Sequence, residues 1–148
     1  MIARVRGTRD ILDMKLFDET QRLIIEHLMR YQFQHIETPI IEPVSLMKRS
    51  IGQETDIVTK EMFIIPGIDE DEESICLRPE ATASIVRAFI EAHVPSLPWK
   101  VFTYGPMFRH ERPQKGRYRQ FYQFSLEVIG STSITQDAQV ITMLDRLF

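Results

Sequence analysis

The chain has a single cysteine, Cys76, among its 148 residues. An internal disulfide is therefore excluded, and with it a small disulfide-stapled scaffold. Cys76 lies in the apolar run SICL, where a lone cysteine is most often a small core residue. The four histidines, at 27, 35, 93 and 110, are scattered without metal-ligand spacing, so no protein-built metal site is identifiable. No apolar run approaches membrane-spanning length. The N-terminus lacks the apolar core of a secretory signal, and a reducing, cytoplasmic location is expected. Positive charge is scarce overall: 18 Lys and Arg against 21 Asp and Glu give a formal net charge of −3. That excludes a general nucleic-acid coat, so any such contact must be local. There is no internal repeat and no low-complexity tract.

What remains is the composition of a globular domain, 43% hydrophobic and 26% charged, long enough for one real core and too short for two large ones. Residues 4–10 form a polar segment with Gly7 as a turn point. Asp10 or Asp13 can cap the helix that follows. That helix is predicted over Met14–Tyr31, with Leu16, Phe17, Thr20, Leu23, Ile24, His27, Leu28 and Tyr31 on one face. His27 on that face reads as a satisfied core-edge histidine rather than a ligand. Ile36–Thr38 is strand-like, and Pro39 cannot donate to a ladder. Pro43 starts a short helix that Gly52 ends. Lys60–Pro66 and Ser74–Leu77 read as strands around an acidic loop with five acids at 69–73. A helix follows Arg78–Thr82 to about His93. Ser131–Gln136 reads as a polar turn before an amphipathic helix over Asp137–Phe148. Glu80 and Thr82 fall at a strand-to-helix junction, which ordinary helix-start chemistry explains by itself.

The most informative stretch is Pro98–Ile129, two strands flanking a basic loop. Phe102, Tyr104, Pro106 and Phe108 alternate with Val101, Thr103, Gly105, Met107, Arg109 and Glu111. In the second arm Tyr122, Phe124, Leu126 and Val128 alternate with Gln123, Ser125 and Glu127. Period two puts each set on one face. One face is aromatic and aliphatic. The other collects an arginine, two carboxylates and an amide, with Gly105 and Ser125 leaving space between them, as on the floor of a ligand site. Arg109–Arg119 holds five of the 18 basic residues in eleven positions, with one acid. A solvated loop is the ordinary reading of such a run. Flanked by strands with occupied polar faces, and with Gly116 beside Arg117 and Arg119, it also suits phosphate oxygens.

FRHERPQKGRYRQFYQ resembles motif 2 of class II aminoacyl-tRNA synthetases in the form found in histidyl-tRNA synthetases. LRPEAT at 77–82 resembles that family's histidine-binding segment, VRGTRDIL its N-terminal signature, and IETPIIEP its motif 1, with Pro39 as the motif proline. MKRSIGQETDIVTKEMF is similar to the stretch after motif 1. The five segments lie in family order and cover nearly the whole chain. The resemblance implies an α+β fold, an antiparallel sheet flanked by helices. It implies ATP-dependent activation of L-histidine, with Mg2+ accompanying ATP, and transfer to tRNA(His). It also assigns roles. Arg109 would hold the α-phosphate and one substrate carboxylate oxygen, as the catalytic arginine. Glu111 would accept from the adenine amino group, and Arg117 would reach the ATP phosphates. Glu80 and Thr82, with Gln123 alongside, would bind the α-ammonium, with Ala81 where the backbone passes close to the ligand. Glu127 would accept from the imidazole.

Asp13, Ala81, Tyr122 and Ser125 depart from the family pattern, and Ser125 is expected to narrow the pocket. Motif 3, the later histidine-specific segment and the anticodon-binding domain have no counterpart. The chain is thus expected to be the N-terminal part of a catalytic domain (residues 1–148), inactive as a ligase by itself, from a protein that is homodimeric when complete. Two alternatives on the same fold stay open: the synthetase-like regulatory subunit of ATP phosphoribosyltransferase, and a class II synthetase for another amino acid.

Overall fold

A computed structural model describes residues 2–52, 61–67, 73–112 and 114–148. Most of the acidic run at 69–73, and the middle of the stretch resembling the family after motif 1, lie outside the described residues. In chain order the elements are α1 (Lys15–Arg30), β1 (Gln34–His35), β2 (Ile41–Pro43), α2 (Val44–Ile51), β3 (Phe63–Ile65), β4 (Ile75–Leu77), α3 (Thr82–Glu91), β5 (Trp99–Phe108), β6 (Gln120–Ile129) and α4 (Ile134–Asp145). They make two three-stranded sheets, ordered β1-β5-β6 and β2-β4-β3.

The long hairpin organises the larger sheet. Trp99 pairs with Ile129 and Phe108 with Gln120, an unbroken antiparallel register of ten residues. Alternation therefore sorts the side chains as the sequence predicts. Phe102 packs with Leu28 and Phe33 from the α1 side and Met143 from α4, and Phe124, Leu126 and Val128 extend that layer. Burying each such side chain stabilises the fold by about 1.5–3 kcal/mol. The His27 imidazole Nε2 meets the Met143 carbonyl at 2.8 Å, so the histidine on the apolar face of α1 is indeed a satisfied one.

The opposite face is less polar than the alternation suggests. Val101 and Met107 are buried there against Ala81 and Ile85, with Trp99, Phe121 and Ile129 packed around them. Helix α3 covers this face, so the hairpin is sandwiched rather than half-solvated.

Three elements differ from the sequence reading. β1 joins β5 in parallel and falls at Gln34–His35, two residues before the run read as a strand, although Ile36 N–H still donates to the Phe102 carbonyl at 2.9 Å. β2 is a strand despite Pro43, because β2 is an edge strand and a proline at its end removes no ladder bond the sheet needs. α4 starts at Ile134 rather than Asp137, since Ser133 is extended (φ −83°, ψ 123°) and ends the polar turn early.

The smaller sheet fixes α3 at its side. The Glu42 carboxylate on β2 is buried and receives Arg87 Nη2 at 2.6 Å and Nε at 3.1 Å from α3. Both carboxylate oxygens are thereby engaged, which a buried carboxylate requires. The same bonding raises the Arg87 pKa above its ordinary value. Cys76 on β4 packs with Val44, Met47, Met62 and Ala83, as a small core residue.

Candidate functional site

Residues 78–82 link β4 to α3 and are the hub of the site. Arg78 is 2% exposed. Its Nη1 donates to the Thr38 carbonyl at 2.8 Å and to Thr38 Oγ1 at 3.0 Å, and its Nε to the Pro106 carbonyl at 3.2 Å. Its own N–H donates to the Ile40 carbonyl at 2.8 Å, and its carbonyl accepts from Phe108 N–H at 3.0 Å. One side chain thus ties the motif 1 segment to the end of β5. Burial pushes its pKa down, and the charges of Glu37 and Glu42 push it back up.

The space over Gly105 is not the floor of a ligand site. A methyl group at Gly105 would overlap Arg78 Nη2, so the glycine is there to admit the guanidinium. The sequence carried two signs of this: a glycine inside a strand, and an arginine ending an apolar run. Neither showed that one answers the other.

Just after Arg78, the Pro79 carbonyl accepts from Arg109 Nε at 3.0 Å. The Arg109 guanidinium lies over the Phe121 ring, 5.2 Å from its centroid, and its side chain is 25% exposed. One edge is bound and one face is covered, so the remaining N–H groups are held in a fixed direction. Glu111 lies 4.0 Å from Arg109 Nη1 and 3.1 Å from Arg117 Nη1, with its side chain 16% exposed. The loop arginine predicted to reach phosphate therefore rests on the acid predicted to bind adenine.

The Glu80 carboxylate accepts from Thr82 N–H at 2.7 Å and Ala83 N–H at 3.0 Å, filling the first-turn donors of α3. Ordinary helix-start chemistry is thus what Glu80 does in this structure. Each oxygen keeps a lone pair for a further donor. Thr82 Oγ1 donates to Glu127 Oε1 at 2.7 Å, which joins the start of α3 to β6. Ala81 is fully buried under this turn, against Ile85 and Val101. Gln123 Nε2 donates to Ser125 Oγ at 2.9 Å. Ser125 therefore orients Gln123, its Oγ accepting that bond.

Seven of the eight residues singled out in the sequence are joined through this hub, directly or through one another: Glu80, Ala81, Thr82, Arg109, Glu111, Arg117 and Glu127. Gln123 lies on the same strand face as Glu127, bonded to Ser125 rather than to the hub. Convergence is real even though the backbones are far apart. Phe108 pairs with Gln120, so Arg109 and Glu127 sit about eight residues apart along the ladder, roughly 26 Å. Yet Pro79 touches one and Thr82 the other, and those two residues are at most about 11 Å apart.

Among the described residues, no group of three or more His, Cys, Asp or Glu side chains could hold a metal ion. Glu111, the acid nearest the loop, is already paired with Arg117. A groove of about 460 Å³ lined by Phe17, Tyr104, Tyr122 and Phe124 lies on the opposite face of the hairpin, away from this chemistry. No helix among the described residues is long and apolar enough to cross a membrane.

A fold of this kind is that of a class II synthetase core. Residues 61–148 match the model of the tRNA synthetase class II core domain (G, H, P, S and T), and the chain belongs to that family. It is 47% identical to the histidine–tRNA ligase of Thermosipho africanus (strain TCF52B), over 99% of this chain and 36% of that protein. It superposes on apo histidyl-tRNA synthetase of S. aureus with a TM-score of 0.80 and 36% identity, covering 99% of this chain and 34% of that one. An ATP phosphoribosyltransferase regulatory subunit/histidyl-tRNA synthetase from Bacillus halodurans shares the fold at a TM-score of 0.77 and 22% identity. The chain spans about a third of the length of the curated relatives it matches.

Proposed function

We propose that this chain is the histidine- and ATP-binding N-terminal part of the catalytic domain of a histidine–tRNA ligase. The observation that carries the reading is the convergence of Arg109 and Glu127 on the 79–82 turn. In the reaction, a histidine carboxylate oxygen attacks the α-phosphorus of ATP. Histidyl-adenylate forms, and pyrophosphate leaves with its electron pair. The adenylate's acyl group then passes to the 3′ end of tRNA(His), and AMP leaves. Arg109, fixed by Pro79 and Phe121, neutralises charge developing on the α-phosphate and orients the carboxylate. Glu80 and Thr82, with Gln123, take the three protons of the ammonium. Glu127 accepts from the imidazole N–H, which selects histidine over an apolar isostere. Glu111 faces the adenine amino group, and Arg117 the outer phosphates. Mg2+ accompanying ATP would supply further charge neutralisation there, beside Arg109 and Arg117. The complete protein is read as a cytoplasmic homodimer.

The wall described is one side of a site, in a chain that spans about a third of its relatives' length. The chain alone therefore binds but does not turn over. Calorimetry with a non-hydrolysable histidyl-adenylate analogue is expected to give saturable binding that Glu127→Gln weakens about 10- to 100-fold, the loss expected for a site hydrogen bond. Histidine-dependent ATP–pyrophosphate exchange is expected to stay at background. Absence of analogue binding would refute the functional reading, and robust exchange would refute the half-site. The regulatory-subunit alternative shares the fold. It requires a transferase catalytic partner bound without affinity for tRNA, and the intact Arg109, Glu111, Arg117, Gln123 and Glu127 favour the ligase.

A further inference from the structure

Two stretches far apart in sequence meet beside the candidate site. Arg119 N–H donates to the Gly7 carbonyl at 2.7 Å, and Arg119 Nη1 to the Arg6 carbonyl at 3.3 Å. The Arg9 guanidinium lies 5.0 Å from the Tyr118 ring centroid. Arg4 Nε donates to the Thr8 carbonyl at 3.0 Å, folding the arm on itself. The arm at 4–9 is thus laid against the basic loop at Tyr118 and Arg119, held by one backbone bond, one bond from the Arg119 side chain and the Arg9–Tyr118 contact. Arg4, Arg6 and Arg9 are all exposed.

Together the arm and residues 112–119 hold Arg4, Arg6, Arg9, Arg112, Lys115, Arg117 and Arg119, and neither stretch contains an acid. Subtracting those seven charges from the net −3 leaves −10 on the rest of the chain. Among the described residues, no carboxylate pairs with Arg4, Arg6, Arg9, Arg112 or Lys115. A polyanion approaching elsewhere meets repulsion, and here it meets a concentrated field. Guanidinium groups in particular grip phosphate oxygens in pairs.

We infer that the 4–9 arm extends the loop into one continuous phosphate-binding surface, whose partner is the backbone of an RNA with its 3′ end in the candidate site. The inference rests on the proposed function for the direction in which the RNA lies. The arm's contribution is the addition: Arg4, Arg6 and Arg9 contact the strand before it reaches the loop.

The test is binding of a tRNA(His) transcript to the chain across a salt titration. Arg4→Gln/Arg6→Gln/Arg9→Gln is compared with Arg30→Gln/Lys48→Gln/Arg49→Gln, which removes three exposed charges outside the arm and loop. Removing one arginine–phosphate ion pair is expected to lower the log–log salt slope by roughly 0.7–0.9 and affinity at 0.1 M salt about five- to eightfold. The arm variant should show two to three such decrements and the control less than a twofold change. Arg6→Glu alone should move affinity in the same direction. Equal weakening in arm variant and control, or none in either, overturns the inference. So does a wild-type chain that binds phosphatidylserine vesicles and is not displaced by the transcript. A wild-type chain that fails to bind the transcript but binds the adenylate analogue also overturns it, and leaves the functional reading standing. The arm side chains do not touch the residues assigned to that analogue, so the two failures are distinguishable.

Discussion

Replacing Gly105 by alanine tests the packing on which the site depends. The new methyl would overlap Arg78 Nη2, and the neighbouring backbone of β5 is held by ten-residue pairing with β6. The guanidinium must therefore move. It cannot do so without lengthening Nη1 to Thr38 (2.8 and 3.0 Å) or Nε to Pro106 (3.2 Å). A hydrogen bond from a charged donor is worth about 1.5–3 kcal/mol, and a buried carbonyl left unpaired adds to the loss. Losing one to two such bonds costs roughly 2–5 kcal/mol. The gain from replacing a strand glycine returns about 0.5–1 kcal/mol. Net destabilisation of about 1.5–4 kcal/mol is expected. With a urea slope of about 1–3 kcal/mol/M, the unfolding midpoint should fall by about 1 M.

Arg78→Lys supplies the control. Lysine has no second terminal nitrogen over Gly105, so the added methyl should cost little in its presence. The double variant should then be more stable than the sum of the singles predicts, with coupling above about 1 kcal/mol. Because Pro79 follows Arg78 and holds Arg109 Nε, Gly105→Ala should also weaken binding of the adenylate analogue. A Gly105→Ala midpoint within about 0.2 M of the wild type, or strict additivity with Arg78→Lys, would refute the reasoning.

Glu80→Ala removes the acceptor for two first-turn N–H groups of α3 and should cost about 1 kcal/mol in urea unfolding, with Glu80→Gln intermediate. Thr82→Val frees Glu127 from its 2.7 Å bond, and calorimetry should show weaker analogue binding, smaller in effect than Glu127→Gln. Burial, with the Glu42 charge adding to it, raises the Cys76 thiol from 9.0 to about 11, so iodoacetamide at pH 8 should label it at the rate of unfolding. Because the folded pKa is the higher one, the stability held by the protonated thiol is full below about pH 9. It falls as pH rises toward 11, which urea midpoints at pH 7.5 and 10.5 in wild type and Cys76→Ala will show.

The hairpin was legible because period two leaves little freedom: once Phe102, Phe124 and Leu126 face one core, Gln123, Ser125 and Glu127 must face the other way. The long helix was legible for the same reason at period 3.6, to within a residue at each end. What the pattern could not carry was anything set by a partner from another element. Val101, Met107 and Phe121 share the face of the polar set, and only α3 shows that they are covered. Gly105 looked like empty space because the group that fills it comes from residue 78. Glu80 looked like a ligand or a cap. It caps, and its remaining lone pairs decide whether it does both. The start of α4 was hidden by polar residues whose side chains point outward from a helix as readily as from a turn.

The order of charges along the site bears on which ligand it suits. From the loop inward come a guanidinium held at two points, then a carboxylate at the head of α3, then a second carboxylate bonded to Thr82. A simple phosphate site would gain from the helix N-terminus behind Glu80, where α3 could offer free N–H groups. Here Glu80 takes two of those donors itself, which turns an anion-attracting end into a cation-accepting one. On the proposed function, anion binding falls to Arg109 and the loop, and cation binding to the turn. A ligand with phosphate at one end, an ammonium next to its carboxyl group and an N–H donor beyond matches that sequence of signs. Histidyl-adenylate has those groups in that order. ATP alone leaves both carboxylates unanswered, and free histidine leaves the arginine's second edge and the loop unanswered. The adenylate analogue should therefore bind more tightly than either substrate alone, by more than a shared site with independent contacts would give.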